Sequence, residues 1–523
     1  MSGSPLGTVP SAHILDQDDT NCLHFPQLTG GECSPAEAED KTRDQGHDWE
    51  HDPVNPRNWP PATKWTTTSV VSLYALVTPL ASAIMAPSLP DLAINFGITD
   101  PTVLALTLSI FVLSNAIGPL FAAPLSEVYG RVWVLHLGNL FFLAFNLGCA
   151  LSPNTVSLIV CRFLSGLAGS APIACGSGVI SDLFLEHERA SAMALYSIGP
   201  MIGEFYPFTQ GPAIGPIMGG FIAESVGVHY VFYVIVAISG VAAILGIPLM
   251  RETYAPLIRL HLDKTVLDPE RAIVGHPALT AHRMDKWTYL WVNLKRPTIL
   301  LTRSFICFIL SLYMALMYGI YFLLFTTFPD LFSNVYHFST GIGGLTYIGV
   351  GFGFLVSTMF GAKISDKIYI YLAARNGGKG KPEMRVPALI FGSLFVPIYA
   401  FIPAPGLTCV SWYGWSAQAK AHFMMPIIGT AIFGFGIMTC FLPIQLYLVD
   451  TFTYAASATA AASTFRSFFG FAFPLFGQQM FATLGYGGGN SLLAGFAIII
   501  GIPFPVWIYF AGERIRANSS LAR

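Results

Sequence analysis

Runs of about twenty apolar residues, separated by short polar breaks, recur along the chain between residues 66 and 511. Twenty residues of helix rise about 30 Å, the thickness of a bilayer's hydrocarbon. The pattern therefore predicts crossing helices near 66–86, 103–123, 132–152, 155–178, 191–222, 229–249, 299–326, 341–361, 386–404, 426–448, 465–484 and 491–511. That is twelve spans, six on either side of a charged segment from Arg251 to Thr298. The expected fold class is an all-α membrane protein with twelve transmembrane helices in two six-helix pseudo-repeats. The expected domains are a disordered cytoplasmic tail (1–60), an N-terminal bundle (61–250), a cytoplasmic central loop (251–298), a C-terminal bundle (299–511) and a cytoplasmic tail (512–523).

Composition agrees with lipid as the solvent. Of 523 residues, 53% are hydrophobic and only 11% charged, where a water-soluble chain has roughly 25%. Mean hydropathy is +0.59. The polar stretch 1–60 has no apolar run, so it is not a signal peptide, and the first span must act as the targeting signal. Trp59 and Trp65 suit an interfacial anchor. A net charge of −2, with no basic arm, argues against nucleic-acid binding. The eight cysteines show no Cys-x-x-Cys or Cys/His spacing, so neither zinc nor a disulfide framework is expected.

Charge sets the expected topology. With the N-terminus inside, the inner connections hold Arg131, Arg189, the central segment's basic residues, Lys363, Lys367, Arg375, Lys379, Lys381, Arg385 and the C-terminal arginines. The outer connections hold Lys420 alone. The positive-inside rule therefore puts both termini in the cytoplasm.

Several constellations bear on chemistry. After the second span comes Pro-Leu-Ser-Glu-Val-Tyr-Gly-Arg, residues 124–131. Glu127 and Arg131 stand four apart, and Gly130 permits a tight turn, so they form a candidate cytoplasmic latch. Ala123–Glu127 and Ala362–Asp366 share a small-x-aliphatic-Ser-acid pattern at the same place in each half, which brings Asp366 into the latch and supports an internal repeat. Ordinary positive-inside charge is the plainer reading.

Arg162 lies inside the fourth span, where a charge is a functional-site hypothesis by default; the plainer alternative is snorkelling to the interface. Asp182, Glu186, Glu188 and Arg189 read as structural salt bridges. The stretch 198–220 is crowded with Gly and Pro, which cost about 1 and 3 kcal/mol in a soluble helix but suit a tightly packed membrane helix. Gly211, Gly215 and Gly219 share one face, beside Pro216 and Gly220. Asn115, Tyr313, Tyr318, Tyr321, Gln445 and Tyr447 are candidate substrate-binding residues, although such residues as often pack or face lipid. Asp450 and Arg466, on either side of an inner loop, are expected to pair. No Walker A sequence or hydrolase motif is present, so an ion gradient is the expected energy source and an enzyme is not expected.

At these residues the chain resembles the major facilitator superfamily, in its fungal twelve-span drug:proton antiporter branch, from about Asp52 to the C-terminus. Carrying the match are Asp52–Pro60, Pro124–Arg131, Arg162–Pro172, Gly211–Gly220, Arg251–Pro256 and Tyr447–Arg466. The resemblance implies alternating access by two halves, with proton entry driving export of an amphipathic or lipophilic small molecule. It implies proton coupling for Arg162, a leak-limiting helix contact for Gly211–Gly220, and a latch at Glu127, Gly130 and Arg131. The latch match is incomplete, since Val132 stands where the family often has a second base.

Two departures lengthen the chain. About eight residues, Glu204 to Gly211, are extra to the family pattern and would add about 12 Å and roughly 80° of rotation to a helix. Either they break the fifth span and make Glu204 a proton site, or they are retained non-coding sequence. Tyr399–Cys409 raises the same question. The expected partners are a bilayer, protons and a small-molecule substrate, with no cofactor, metal or nucleic acid and a monomeric chain. The plasma membrane is expected, with the vacuole as the alternative. A polyamine or other organic-cation exporter is the second functional reading, ranked lower because the spans hold almost no carboxylates apart from Glu204. A polytopic enzyme or non-transporting sensor is a remote third.

Overall fold

In hydrocarbon an open strand edge leaves backbone groups unpaired, so apolar runs of this length fold as helices. The computed structural model describes residues 49, 51–185, 188, 192, 196, 211–259, 286–378, 380–396, 409–452 and 455–517. Pro53–Arg523 is one unit; of the other, Met1–Asp52, only Trp49, His51 and Asp52 are described. Glu204 and the stretch from Tyr399 to Thr408 lie outside the described residues.

In chain order the helices are α1 (Pro61–Ala83), α2 (Leu89–Phe96), α3 (Pro101–Tyr129), α4 (Arg131–Ala150), α5 (Thr155–Leu183), α6 (Gly211–Val226) and α7 (Val228–Leu249). Then come α8 (Lys286–Arg303), α9 (Phe305–Tyr336), α10 (Thr340–Leu345), α11 (Ile348–Val356), α12 (Ala362–Arg375), α13 (Val386–Phe395), α14 (Cys409–Gln418), α15 (Met424–Thr451), α16 (Ala455–Gly501) and α17 (Pro503–Ala517). Among the described residues, nine stretches are long and apolar enough to cross a bilayer, and Ile214–Val226 is a shorter apolar helix. The last of the nine, Ser457–Arg516, has 60 residues, which as one straight helix would run about 90 Å. Gly485, at φ 69° and ψ 168°, breaks it.

The helices outrun the apolar runs that predict them. α3 has 29 residues, about 44 Å, which is the bilayer with its head groups rather than its hydrocarbon alone. α9 runs on to Tyr336, ten residues past its expected end, and so takes in Asp330. The central segment, expected as a loop, is helical over Lys286–Arg303. Side chains cap helix starts: Asp100 accepts from Thr102 N at 2.8 Å, and Asn154 from Ser157 N at 2.8 Å.

Burial ranks the helices. In α9, 83% of the apolar window is buried, against 33% in α4 and in α7. α9 is therefore central, while α4 and α7 present residues such as Leu140, Phe141, Ile244 and Ile247 outward, as lipid-facing helices do. The first crossing stretch is not continuous. α1 ends at Ala83, a short turn at Ala86–Ser88 follows, and α2 resumes the path.

The described contacts between the two halves differ at the two ends of the bundle. At the end carrying α2, Thr340 Oγ1 donates to Asp91 at 2.8 Å, while Gly341 N and Ser339 Oγ donate to Glu224 at 2.7 and 3.1 Å. Gln479 reaches Thr102 there at 3.3 Å. At the end carrying Arg131, the described side-chain ion pairs all stay within one half.

Candidate transport site

Ending α1 at Ala83 frees the carbonyls of its last turn, which need donors from elsewhere. Arg162 supplies one. Its Nη1 donates to Ala81 O at 3.0 Å and its Nε to Thr107 O at 3.3 Å, while the guanidinium lies over the Phe111 ring at 4.7 Å. The side chain is 0% exposed, so it does not snorkel. Its Nη2 has no partner among the described residues. Thr78 Oγ1 ties the same helix to Gly169 O of α5 at 2.6 Å.

The glycine face of α6 meets the same break. A Cβ on Gly215 would stand 3.1 Å from Ala83 Cβ, and one on Gly219 would run into the Ile84 carbonyl oxygen. Gly220 and Pro216 look the other way, onto α10. A Cβ on Gly220 would lie 2.7 Å from Thr340 O, and one on Gly344 would lie 2.6 Å from Pro216 O. Side chains larger than hydrogen do not fit there, so close packing rather than flexibility explains these residues. Gly211 begins α6, and its surroundings are outside the described side chains.

A cavity of about 250 Å³ opens beside the broken turn. Ser82 and Ala83 wall it from the first half; Tyr318, Tyr321, Phe441 and Arg466 wall it from the second. Two of the predicted tyrosines are thus in its lining. The other predicted binding residues are not. Tyr313 is buried against Cys440, its hydroxyl 3.8 Å from the sulfur, and Tyr447 is 2% exposed. Asn115 and Gln445 also stand outside the lining. A helix shows only one face to a given cavity, and aromatic content along a span does not tell which.

Arg466 overturns an expectation. It does not pair with Asp450. Its guanidinium sits between the Tyr318 and Phe441 rings, 4.8 and 4.7 Å from their centroids. Asp450 instead accepts from Arg385 Nε at 2.6 Å.

The latch residues build a set of charged contacts at the Arg131 end. Arg131 Nε donates to Asp182 at 3.3 Å and Nη1 to Ser126 Oγ at 2.7 Å; the guanidinium lies 5.0 Å from the Tyr254 ring. Glu252 caps the start of α4, its Oε1 2.9 Å from Arg131 N and its Oε2 3.2 Å from Val132 N. Gly130 turns at φ 99°, and a Cβ there would meet the Glu252 carboxylate. Glu127 is half-buried one turn before Arg131. Asp182, at the far end of α5, is an acid that pairs with Arg131 from outside the motif.

The second half repeats this set at residues the sequence pattern did not indicate. Arg385, just before α13, pairs with Asp450 at the end of α15 and lies 4.6 Å from the Tyr369 ring. Glu383 takes Arg516 of α17 at 3.3 Å. Asp366 is exposed and makes none of these pairs. The motif repeat at Ser126 and Ser365 marks this neighbourhood in both halves, and helix ends far apart in sequence add Asp182 and Asp450 to it.

One further carboxylate was missed. Asp330 of α9 accepts from Gln478 Nε2 and lines a cavity of about 550 Å³ at the α2 end, with Asp100, Gln479 and Tyr486. An acid inside a span was the available signal, but it fell beyond the apolar run ending near 326.

The Major Facilitator Superfamily model matches residues 71–474. The chain belongs to the major facilitator superfamily: it is a multi-pass membrane transporter and not an enzyme. Among its relatives, the efflux pump vrtL of Penicillium aethiopicum is 40% identical over 90% of this chain and 90% of its own length. The MFS transporter cpaT of Aspergillus oryzae is 41% identical over 93% and 94%. The partially occluded, inward-open xylose transporter XylE of E. coli matches 86% of this chain and 98% of its own with a TM-score of 0.59, at 15% identity. The fungal efflux relatives agree with the branch resemblance drawn from the sequence.

Proposed function

We propose that this transporter exports an amphipathic or lipophilic small molecule in exchange for protons, by alternating access. The observation that carries the reading is a shared turn. The last turn of α1 gives Ser82 and Ala83 to the cavity wall and the Ala81 carbonyl to Arg162. A solute that displaces this turn alters the contacts of the buried cation, and a change at the cation is felt in the cavity. Exchange of solute for protons needs such a physical link, a two-state element that both ligands bias.

Hydrogen bonds between the halves at the α2 end, with the described ion pairs confined to single halves at the other, support a state that parts more readily at the Arg131 end. The excess of Lys and Arg at that end supports a cytoplasmic location for it and for both termini. The efflux names of the relatives support outward transport. The plasma membrane is the proposed location.

The polyamine reading ranks below this one, because the described cavity lining carries an arginine and no carboxylate. A compound-sensitivity panel in a deletion strain, rescued by the full chain, tests the proposal. Rescue toward lipophilic compounds, lost in Arg162→Ala at normal membrane levels, is expected. Full rescue by Arg162→Ala rules out the coupling role, and protection against spermine alone would favour the polycation reading.

A further inference from the structure

A guanidinium taken out of water is costly unless other groups replace its hydration. At several other arginines among the described residues they do, at least in part. Arg131, Arg385 and Arg516 each meet a carboxylate, and Arg162 meets two backbone carbonyls. Arg466 departs from this pattern. Among the described residues it has no carboxylate partner, its Nε has no hydrogen-bond partner, and its contacts are two aromatic faces and the cavity. An arginine cannot escape the cost by losing its proton. The rings of Tyr318 and Phe441 attract the guanidinium but supply no full negative charge and no hydrogen-bond acceptor.

We infer that Arg466 is an anion-recognising residue, and that the cavity takes flat apolar molecules carrying a carboxylate or an acidic phenol. The inference rests on reading this cavity as the substrate site. The rings supply stacking surface for the apolar body, and the guanidinium fork supplies a charge-assisted pair to the anionic group. Specificity follows from the same geometry. A neutral analogue leaves the half-buried cation unpaired, and a cationic one adds repulsion to that cost.

Binding reads this subsite separately from transport. The probes are 2-naphthylacetate and its amide, nearly isosteric and differing in charge, titrated against the purified full chain in lipid nanodiscs with empty nanodiscs subtracted. Wild type should bind the acid at least about tenfold more tightly than the amide, the size of one desolvated charge-assisted hydrogen bond. Arg466→Gln should bring that ratio to about one, and Arg466→Lys should leave it reduced but above one. A wild-type ratio near one overturns the inference. A ratio unchanged in either variant also overturns it. Should Arg466→Gln fail to fold, wild type and Arg466→Lys still decide the matter. Acid selectivity in binding with no export of any compound would leave the subsite standing and refute the efflux reading instead.

Discussion

Arg466 and Asp450 show how far single residues can be read from a sequence. Sixteen positions apart across a loop, an acid and a base invite pairing. The helices turn them apart, and each finds company more distant in the chain: Arg385 for Asp450, and the Tyr318 and Phe441 rings for Arg466. Arg162 was legible because any charge within a span demands an account. What it binds was not, since its acceptors are backbone carbonyls, one at the end of α1 and one within α3. Two outcomes belong at this scale. Asp182→Asn removes the carboxylate facing Arg131 and should cost about 3 kcal/mol, read as a lowered midpoint of thermal unfolding in detergent; exchanging the two charges, Arg131→Asp with Asp182→Arg, should recover part of it. Gly130→Ala forces a positive φ on alanine and drives its Cβ into Glu252. It should cost about 1–3 kcal/mol, and an unchanged midpoint would mean that the turn is not constrained as described.

Most elements follow from the length of the apolar runs, because lipid permits little else. Their ends do not, since polar residues at the head groups continue the helix without adding hydropathy, as at the end of α9 around Asp330. The helix α8 escaped notice for the opposite reason, being helical but too polar to read as a span. The break between α1 and α2 was also hidden, although Arg162, Gly215 and Gly219 all converge on it. The glycine pattern of α6 announced a close contact, and the structure supplies its two surfaces, α1 on one side and α10 on the other. Gly220→Leu should therefore hold α6 away from α10 and stop export while leaving the protein in the membrane. Glu224→Ala removes the acceptor for Gly341 N and Ser339. Spin-label distances between positions 226 and 342 should lengthen or broaden in that variant; an unaltered distribution would mean that these bonds do not close the α2 end.

Across the whole molecule, two similar sets of ion pairs at one end and hydrogen bonds between halves at the other form a device with two unequal ends. Arg131–Asp182 and Arg385–Asp450 brace each half as a body, while the described bonds between halves at the α2 end are part-buried or exposed. In the proposed exchange, a solute in the cavity and the Arg162 guanidinium act on the same turn of α1 from its two sides. The most direct measurement uses the purified chain in vesicles loaded with a pH-sensitive dye and challenged with a library of amphipathic compounds. The account predicts that some compounds cross and move protons in the opposite direction, and that Arg162→Ala abolishes the coupled proton signal. No compound-dependent proton movement across the library, or an undiminished signal in Arg162→Ala, would contradict it.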